Sequence, residues 1–312
     1  VVTGFLVLSF YSAIGGWTLS YFCEALVGQG LIADQSQLGA HFAEFTANPV
    51  TALGFQWLFL VLNGLIVAFD VTKGIERVSK ILMPLLFILM LVLIVRGLML
   101  PGAMEGVRFL FKPDPEAFTG EALLNAMGFA FFSLSVGSGS MMNYGSYLSD
   151  KVSIGPSTVW IVCLAVMASI LGGLMIMPAV FAFGLSPDAG LTFATMPAVF
   201  GRMPFGDIFA VAFFLCLFVA ALTSAISILE MTSQHFVDRH GLKRRTSVLL
   251  VSTVLGLIGI VCALSFGPLS DVKLFGKTAF DLLDYVTSNI GMPIGCVGIG
   301  LVAAWVAWPT IR

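Results

Sequence analysis

Charged residues, histidines and cysteines are all scarce in this sequence. Only 10% of its 312 residues are Asp, Glu, Lys or Arg, whereas roughly a quarter of an average soluble domain is charged. By contrast, 58% are hydrophobic. The shortage of charge excludes a soluble globular protein and indicates that the chain lies in a lipid bilayer. The net charge of −2 also predicts no surface for nucleic acid.

The few reactive residues form no recognisable chemical site. The five cysteines lie inside apolar runs at unrelated spacings, without a CxxC pair or a nearby pair of histidines, and we predict small core residues rather than metal ligands. They are Cys23, Cys163, Cys216, Cys262 and Cys296. Because no nucleophile, base and orienting residue come together as in a catalytic triad, we expect no enzyme.

Apolar runs of transmembrane length recur along the whole chain. A helix needs about 20 mostly apolar residues to cross a bilayer, and these runs lack the alternation of β-barrel strands. We therefore predict an all-α integral membrane protein with eight transmembrane helices. They cover approximately 1–28, 52–69, 82–100, 121–148, 157–184, 206–236, 247–267 and 283–308.

The loops between these runs predict the orientation. Both chain ends fall on the side whose loops carry nine Lys and Arg residues, against six on the other side. By the positive-inside rule, Val1 and Arg312 are predicted to be cytoplasmic in a multi-pass protein of the inner or plasma membrane. Because the chain starts in an apolar run without Met and stops just after a pair of Trp residues, we also expect a fragment of a longer protein.

The fourth run contains a polar, glycine-rich gap. From Phe132 to Ser140, six of nine residues are Ser or Gly, and Gly disfavours helix by about 1 kcal/mol relative to Ala. A helix unwound near 133–140 is tolerated in a bilayer where it lines a cavity or contacts a ligand, as in secondary transporters. The same residues also suit a Gly/Ser face for close helix packing, and the sequence alone leaves both interpretations open.

Hydroxyl groups interrupt the first and sixth runs. Tyr11, one turn after Val7, needs a partner for its hydroxyl, which could be a substrate carboxylate or a neighbouring carbonyl. The sixth run presents a stripe of small and hydroxylated residues on one helical face, suited either to a small alkali cation or to simple packing. The stripe consists of Ala220, Thr223, Ser224 and Ser227.

Three carboxylates lie within or beside the apolar runs, where ionisable groups are costly and indicate function by default. Asp281 and Asp284 lie at the start of the eighth helix on its outer side, and for Asp284 we consider either an outer gate or a helix N-cap. For Glu230 we expect a structural hydrogen bond in the inner half of the sixth helix.

Five stretches together resemble the neurotransmitter:sodium symporter family, specifically its bacterial amino-acid transporters. They are Tyr11 with 17–19, 73–80 followed by 83–84, 131–135, 222–226 and 280–285. The resemblance covers essentially the whole chain and implies the family's five-plus-five inverted-repeat fold, incomplete at both ends, with these spans as its third to tenth helices. It implies one transporter domain over 1–312, with a partial first repeat at 1–120 and the second repeat at 121–312.

The resemblance also implies roles for individual residues. Substrate contacts would come from Val7, Tyr11, Phe132, Ser133, Ser135, Ser138, Ser224 and Ile228. A second sodium site would use Ala220, Thr223 and Ser224, and the first would include Ser133. Phe132 and Asp284 would form the outer gate, and the Arg partner of Asp284 would lie in the missing first helix.

At several positions the sequence departs from the family pattern, and these differences change the sites that the resemblance implies. The family's Asn or Asp for the first sodium falls on Ala165 or Leu164, neither of which has a side-chain oxygen, so this site is in doubt. Phe129 replaces a Gln that helps animal members bind chloride, and Ser169 cannot hold the ion alone, so we expect no chloride dependence. Ser138 replaces a bulky pocket residue, which implies a roomier or more polar pocket.

These observations lead to one principal function and two alternatives. The resemblance implies sodium-coupled symport of an amino acid or related small amine by alternating access. An amino-acid-binding membrane sensor without transport is one alternative, because the first ion site is weakened. A proton-coupled transporter using Asp281, Asp284 and Glu230 is the other. The expected partners are the small-molecule substrate and the lipid bilayer, and the sequence does not indicate an oligomeric state.

Overall fold

The computed structural model describes residues 1–29, 37, 39–69, 76–112, 114–146, 148, 152–185 and 191–306. Within these ranges the chain is mainly helical, and its β contact is an isolated bridge between Leu274 and Lys277. The all-α prediction is therefore confirmed for this part of the chain. Its thirteen α-helices are α1 (Val2–Leu26), α2 (Ala40–Ala47), α3 (Pro49–Ala68), α4 (Glu76–Leu98), α5 (Ala103–Phe111), α6 (Gly120–Ser133), α7 (Ser140–Gly145), α8 (Ile154–Ala182), α9 (Met196–Arg202), α10 (Gly206–His240), α11 (Arg244–Leu264), α12 (Ala279–Tyr285) and α13 (Met292–Leu301).

Seven segments of the described residues are long and apolar enough to cross a membrane, compared with the eight that we predicted. They are α1, α3, most of α4, α8, α10, α11 and the segment Ala279–Trp305, in which a wider π-type turn joins α12 to α13. The predicted span 121–148 is not among them because it is divided into α6 and α7. With 14 and 6 residues, each piece is shorter than the roughly 20 residues that a bilayer requires.

Backbone conformation explains the break between α6 and α7. Ser135, Gly137 and Gly139 have φ angles of 52°, 85° and 95°, in the left-handed region that Gly adopts most readily. Gly137 is also pressed against α13, where an added Cβ would lie 2.0 Å from the carbonyl oxygen of Met292. Only a residue without a side chain fits this contact, so the glycine allows the interrupted helix to pack directly on α13.

Helix α1 is the central helix of the bundle. In its most apolar stretch 67% of the residues are buried, against 6% in α8, and it packs against α10, α3 and α11. A Cβ on Gly16 of α1 would lie 2.7 Å from the backbone nitrogen of Gln56 in α3. The Gln56 side chain donates to Ser12 Oγ at 3.1 Å and to the carbonyl oxygen of Gly256 at 3.4 Å. Small residues and one buried amide thus fix α1 against two neighbours.

An ion pair joins α10, α11 and α3 at one end of the bundle. The Glu230 carboxylate in α10 is fully buried and accepts hydrogen bonds from both terminal nitrogens of Arg244 in α11, one of them at 3.1 Å. Arg244 Nε donates to the carbonyl oxygen of Val67 in α3 at 2.8 Å. The interaction that we expected for Glu230 is therefore a charged one, and it links three helices.

The prediction that the cysteines are core residues is correct only in part. All five are free thiols; Cys216 and Cys262 are buried, whereas Cys23 and Cys296 are partly buried. Cys163 is exposed on α8, so the prediction is wrong there. Apolar surroundings in the sequence do not identify a core residue in a helix that turns most of its surface outward.

Candidate functional site

A cavity of about 380 Å³ opens between α1, α4, α6, α10 and the start of α13. Most of its wall is apolar, and hydroxyl groups line it at the break after α6 and along the middle of α10. This combination is usual for small-molecule sites, in which a few polar groups orient a ligand within an apolar pocket. The lining residues are Gly4, Val7, Tyr11, Met83, Phe129, Phe132, Ser133, Ser135, Ser138, Thr223, Ser224, Ser227, Ile228 and Met292.

The cavity brings together all eight residues that the sequence resemblance assigned to the substrate. They come from three separate stretches of the chain: the first half of α1, the break after α6 and the middle of α10. Their meeting in one place is a structural finding, whereas their role in binding stays a prediction.

Helix α1 contributes an aromatic hydroxyl to the cavity. Val7 and Tyr11 project from adjacent turns of one helical face, and both line the cavity together with Ser224 of α10. The ring of Phe132 lies 6.5 Å from the Tyr11 ring, at an interplanar angle of 49°. The two rings therefore form adjoining parts of the wall, next to the break in the helix.

The serines of the break differ in what they offer a ligand. The Ser138 hydroxyl donates to the carbonyl oxygen of Ser135 at 3.0 Å and lies 3.2 Å from the Ser140 hydroxyl. Ser138 is also only 2% exposed. Its hydroxyl therefore stabilises the break itself. We expected either a roomier or a more polar pocket at this position, and this arrangement favours the roomier one.

The hydroxyl stripe of α10 places several oxygens within one helical turn. Thr223 Oγ1 donates to the carbonyl oxygens of Val219 and Ala220, both at 3.0 Å. Thr223 and Ser224 reach the cavity wall, whereas Ala220 is not among the lining residues. The Ala220 carbonyl and the two hydroxyls are hard oxygen ligands of the kind that alkali and alkaline-earth cations prefer. They fit one side of a cation site.

Some lining residues were missed by the sequence reasoning. Gly4 lies on the same helical face as Val7 and Tyr11, a spacing that could have identified it. Met83 enters from α4, and no motif indicated it.

Outside the lining, Tyr144 of α7 donates to Ser227 Oγ at 2.7 Å. This hydrogen bond connects the interrupted helix to α10, and sequence periodicity does not reveal such a contact between distant segments.

Other predicted site residues lie outside the lining. Asp284 accepts a hydrogen bond from Ser288 Oγ at 2.9 Å. The N-cap of α12 is Thr278, whose side chain accepts from the backbone nitrogen of Asp281. The N-cap alternative for Asp284 is therefore wrong. Ala165 lies in α8, a helix packed against α4, α5 and α9.

The two residues considered for chloride are also separated. Phe129 lines the cavity with its ring, which offers no hydrogen-bond donor to an anion. The Ser169 hydroxyl of α8 donates to the carbonyl oxygen of Ala165 at 3.0 Å. Neither arrangement resembles an anion site.

Comparisons with protein sequences identify relatives of the whole chain. The profile of the sodium:neurotransmitter symporter family matches residues 53–307. The sodium-dependent transporter YhdH of Bacillus subtilis is 45% identical over 303 residues, which cover 96% of this chain and 67% of YhdH. A sodium-dependent transporter of Haemophilus influenzae is 32% identical over 309 residues, which cover 97% of this chain and 68% of that protein.

A solved structure shares the fold. The crystal structure of MhsT in complex with L-phenylalanine superposes with a TM-score of 0.91 and 40% sequence identity, covering 97% of this chain and 70% of MhsT. In all these comparisons the chain spans about two thirds of the other protein's length.

The matches confirm the resemblance read from the sequence and, with the seven apolar helices, describe a multi-pass membrane protein. They also agree with the expectation of a transport function rather than an enzymatic one. Sodium-dependent symport is the activity that the family's description states. This chain belongs to the sodium:neurotransmitter symporter family.

Proposed function

We propose that this chain forms most of a transporter that uses a sodium gradient to carry an amino acid by alternating access. The observation that carries the proposal is the single cavity in which Tyr11, Phe132 and the α10 hydroxyls meet. Sodium use comes from the family, and the amino acid is our inference. The complex of MhsT with L-phenylalanine supports this substrate class.

The cavity suggests how an amino acid would bind. The Tyr11 hydroxyl would donate to the substrate carboxylate, because a hydrogen bond to a charged acceptor is stronger than one between neutral groups. Val7 and Ile228 would contact the substrate side chain, and Ser133 and Ser135 its polar end. Phe132 would close the site from outside.

Sodium would couple binding to movement at the second site. Ala220, Thr223 and Ser224 present three oxygens from one turn of α10, and the remaining ligands would come from a facing helix. A bound ion favours whichever conformation binds it more tightly. We expect sodium to favour the outward-open state, after which substrate would allow Phe132 and Asp284 to close above it.

The membrane arrangement is part of the same proposal. We infer eight transmembrane helices, counting the interrupted α6–α7 pair as one, with both chain ends cytoplasmic in the inner or plasma membrane. The partial first repeat would occupy 1–120 and the second repeat 121–312. Chloride would play no part, because Phe129 and Ser169 offer no anion site.

A sensor that binds an amino acid without moving it is the second candidate. Ala165 favours it, since this residue supplies no side-chain oxygen to a first sodium site with Ser133. Binding without gradient-driven accumulation would support the sensor, whereas accumulation above the external concentration would eliminate it.

The sodium site can be tested with two matched threonines of α10. Thr223 and Thr232 each donate a hydrogen bond to the carbonyl oxygen four residues earlier, at 3.0 Å and 2.8 Å, but only Thr223 lines the cavity. In the full-length protein, Thr223→Val should raise the sodium concentration needed for half-maximal binding of a labelled amino acid by roughly tenfold or more, on the scale of a contact to a charged group. Thr232→Val should leave it unchanged. Equal effects of the two substitutions, or binding that is equal in sodium and potassium, would refute the assignment.

A further inference from the structure

A groove of about 400 Å³ runs along the outer surface of the bundle between α3 and α11, and the substrate cavity does not share its lining residues. One wall extends from Trp57 on α3 to Phe69, just after the end of that helix, and the other from Arg245 to Thr253 on α11. Along each helix the lining residues recur three or four positions apart, so each wall is one continuous face. Nothing in the proposed transport cycle uses this groove.

Within the described part of the chain, the groove is open to the outside of the bundle. Its rims are exposed apolar side chains, with Val61 52%, Leu65 53% and Leu249 70% exposed. At Gly64 no side chain fills the groove, and an added Cβ would lie 3.6 Å from Ser252 Oγ and 3.7 Å from Val248 Cγ1, both ordinary contact distances. A flexible hydrocarbon chain therefore has room along this face.

The groove has a positive charge at one end. Arg245 lines it and is exposed, and among the described residues its guanidinium makes no hydrogen bond or ion pair. The neighbouring Arg244 is instead neutralised by Glu230. Arg245 is thus available to an anion at the membrane surface.

The length of the groove matches one leaflet. From Trp57 to Phe69 is twelve residues, or about 18 Å of helix, and half of a hydrocarbon core is about 15 Å thick. Within the groove, the Ser252 hydroxyl is buried without a hydrogen-bond partner in the described structure. It lies seven residues, about 10 Å, from Arg245 toward the membrane interior, the direction in which the ester groups of a lipid lie below its phosphate.

We propose that this groove binds an anionic phospholipid. The phosphate contacts Arg245, an ester oxygen accepts from Ser252, and one acyl chain follows the groove toward Trp57. Charge complementarity selects this occupant over a zwitterionic lipid, because a basic residue at an anionic membrane surface contributes about 1 kcal/mol, whereas the apolar walls accept any acyl chain.

Quenching of Trp57 fluorescence by brominated lipid chains tests the proposal. The full-length protein is reconstituted in phosphatidylcholine vesicles, and brominated phosphatidylglycerol or brominated phosphatidylcholine is added in separate series. The Trp57 signal is the difference between the native protein and Trp57→Phe. We expect half-maximal quenching at an about fivefold lower fraction of the glycerol lipid, and a smaller preference in high salt, which screens surface charge.

Two substitutions and a matched control decide the outcome. Arg245→Gln should abolish the preference for phosphatidylglycerol, whereas Arg239→Gln, which removes an exposed Arg at the same end of the bundle, should preserve it. Gly64→Leu should reduce quenching by both lipids several-fold, because it fills the groove while improving helix propensity. Equal quenching by the two lipids, or equal effects of the two Arg substitutions, would overturn the proposal. So would a Trp57 signal that neither lipid quenches, since another protein segment or a second copy would then cover the groove.

Discussion

Replacing only Arg244 of the Glu230–Arg244 ion pair should destabilise the bundle more than replacing both residues. The Glu230 side chain has no exposed surface, and that of Arg244 is 22% exposed. In Arg244→Met the carboxylate loses two charge-assisted hydrogen bonds but stays out of water. The expected loss in the free energy of unfolding is about 3–5 kcal/mol.

The opposite substitution should cost less. In Glu230→Met the guanidinium keeps its hydrogen bond to the Val67 carbonyl and part of its hydration, so we expect a loss of about 1–3 kcal/mol. The double variant removes both charges and fills the space with apolar groups, a change that is often nearly neutral. Its cost should therefore fall well below the sum of the two single costs.

Unfolding by SDS in mixed micelles, followed by circular dichroism, measures these differences. Arg245→Met is the matched control: this neighbouring Arg is exposed and unpaired within the described structure, so its loss should change the free energy by less than about 0.5 kcal/mol. The reasoning fails if Arg244→Met is no more destabilising than Arg245→Met, or if the double variant costs the full sum of the single ones.

Three further predictions concern other parts of the molecule. Gly137→Ala should destabilise the protein by about 2–4 kcal/mol, because the added Cβ would sit at a positive φ of 85° and 2.0 Å from the Met292 carbonyl oxygen. Thermal unfolding of this variant is compared with that of Gly155→Ala, where space is open, and equal shifts in melting temperature would contradict the prediction. His41 Nε2 lies 2.6 Å from Glu24 Oε2, and this hydrogen bond raises the His41 pKa above its usual value. The pair therefore stabilises the fold fully below about pH 6.5 and loses this effect as the pH rises through the raised pKa. The melting-temperature difference between the native protein and His41→Asn should shrink from pH 5.5 to pH 9, and a constant difference would show that the pair does not titrate. Replacing chloride by gluconate should leave sodium-driven uptake unchanged, and a large loss of uptake would mean that an anion site has been overlooked.

The break after α6 illustrates what the sequence could predict. Six Ser and Gly residues among nine make a regular helix unfavourable, and α6 ends at Ser133 while α7 begins at Ser140. That this break leaves seven helices of transmembrane length instead of eight is harder to predict, because hydropathy averaged along the sequence does not resolve the break and gives one long apolar run. Gly137, whose φ angle is left-handed, is pressed against Met292 of α13, a contact between distant segments that no local pattern encodes.

The cavity shows the same division between local and distant information. Val7 and Tyr11 could be placed together because they are one helical turn apart, and family resemblance placed Phe132 opposite them. The bond between Tyr144 and Ser227 spans 83 positions, and that between Arg244 and Glu230 spans 14. Such pairs arise from how helices meet, so a single sequence indicates the participants without indicating the partners.

The gradient dependence of accumulation tests the central claim most directly. Vesicles containing the full-length protein are loaded with potassium, placed in either sodium or potassium with a labelled amino acid, and the internal concentration is measured over time. We expect accumulation above the external concentration only with an inward sodium gradient, and its collapse when sodium is equalised across the membrane. Equal internal concentrations under all conditions, or accumulation driven by a pH gradient without sodium, would contradict the assignment of a sodium-coupled amino-acid symporter.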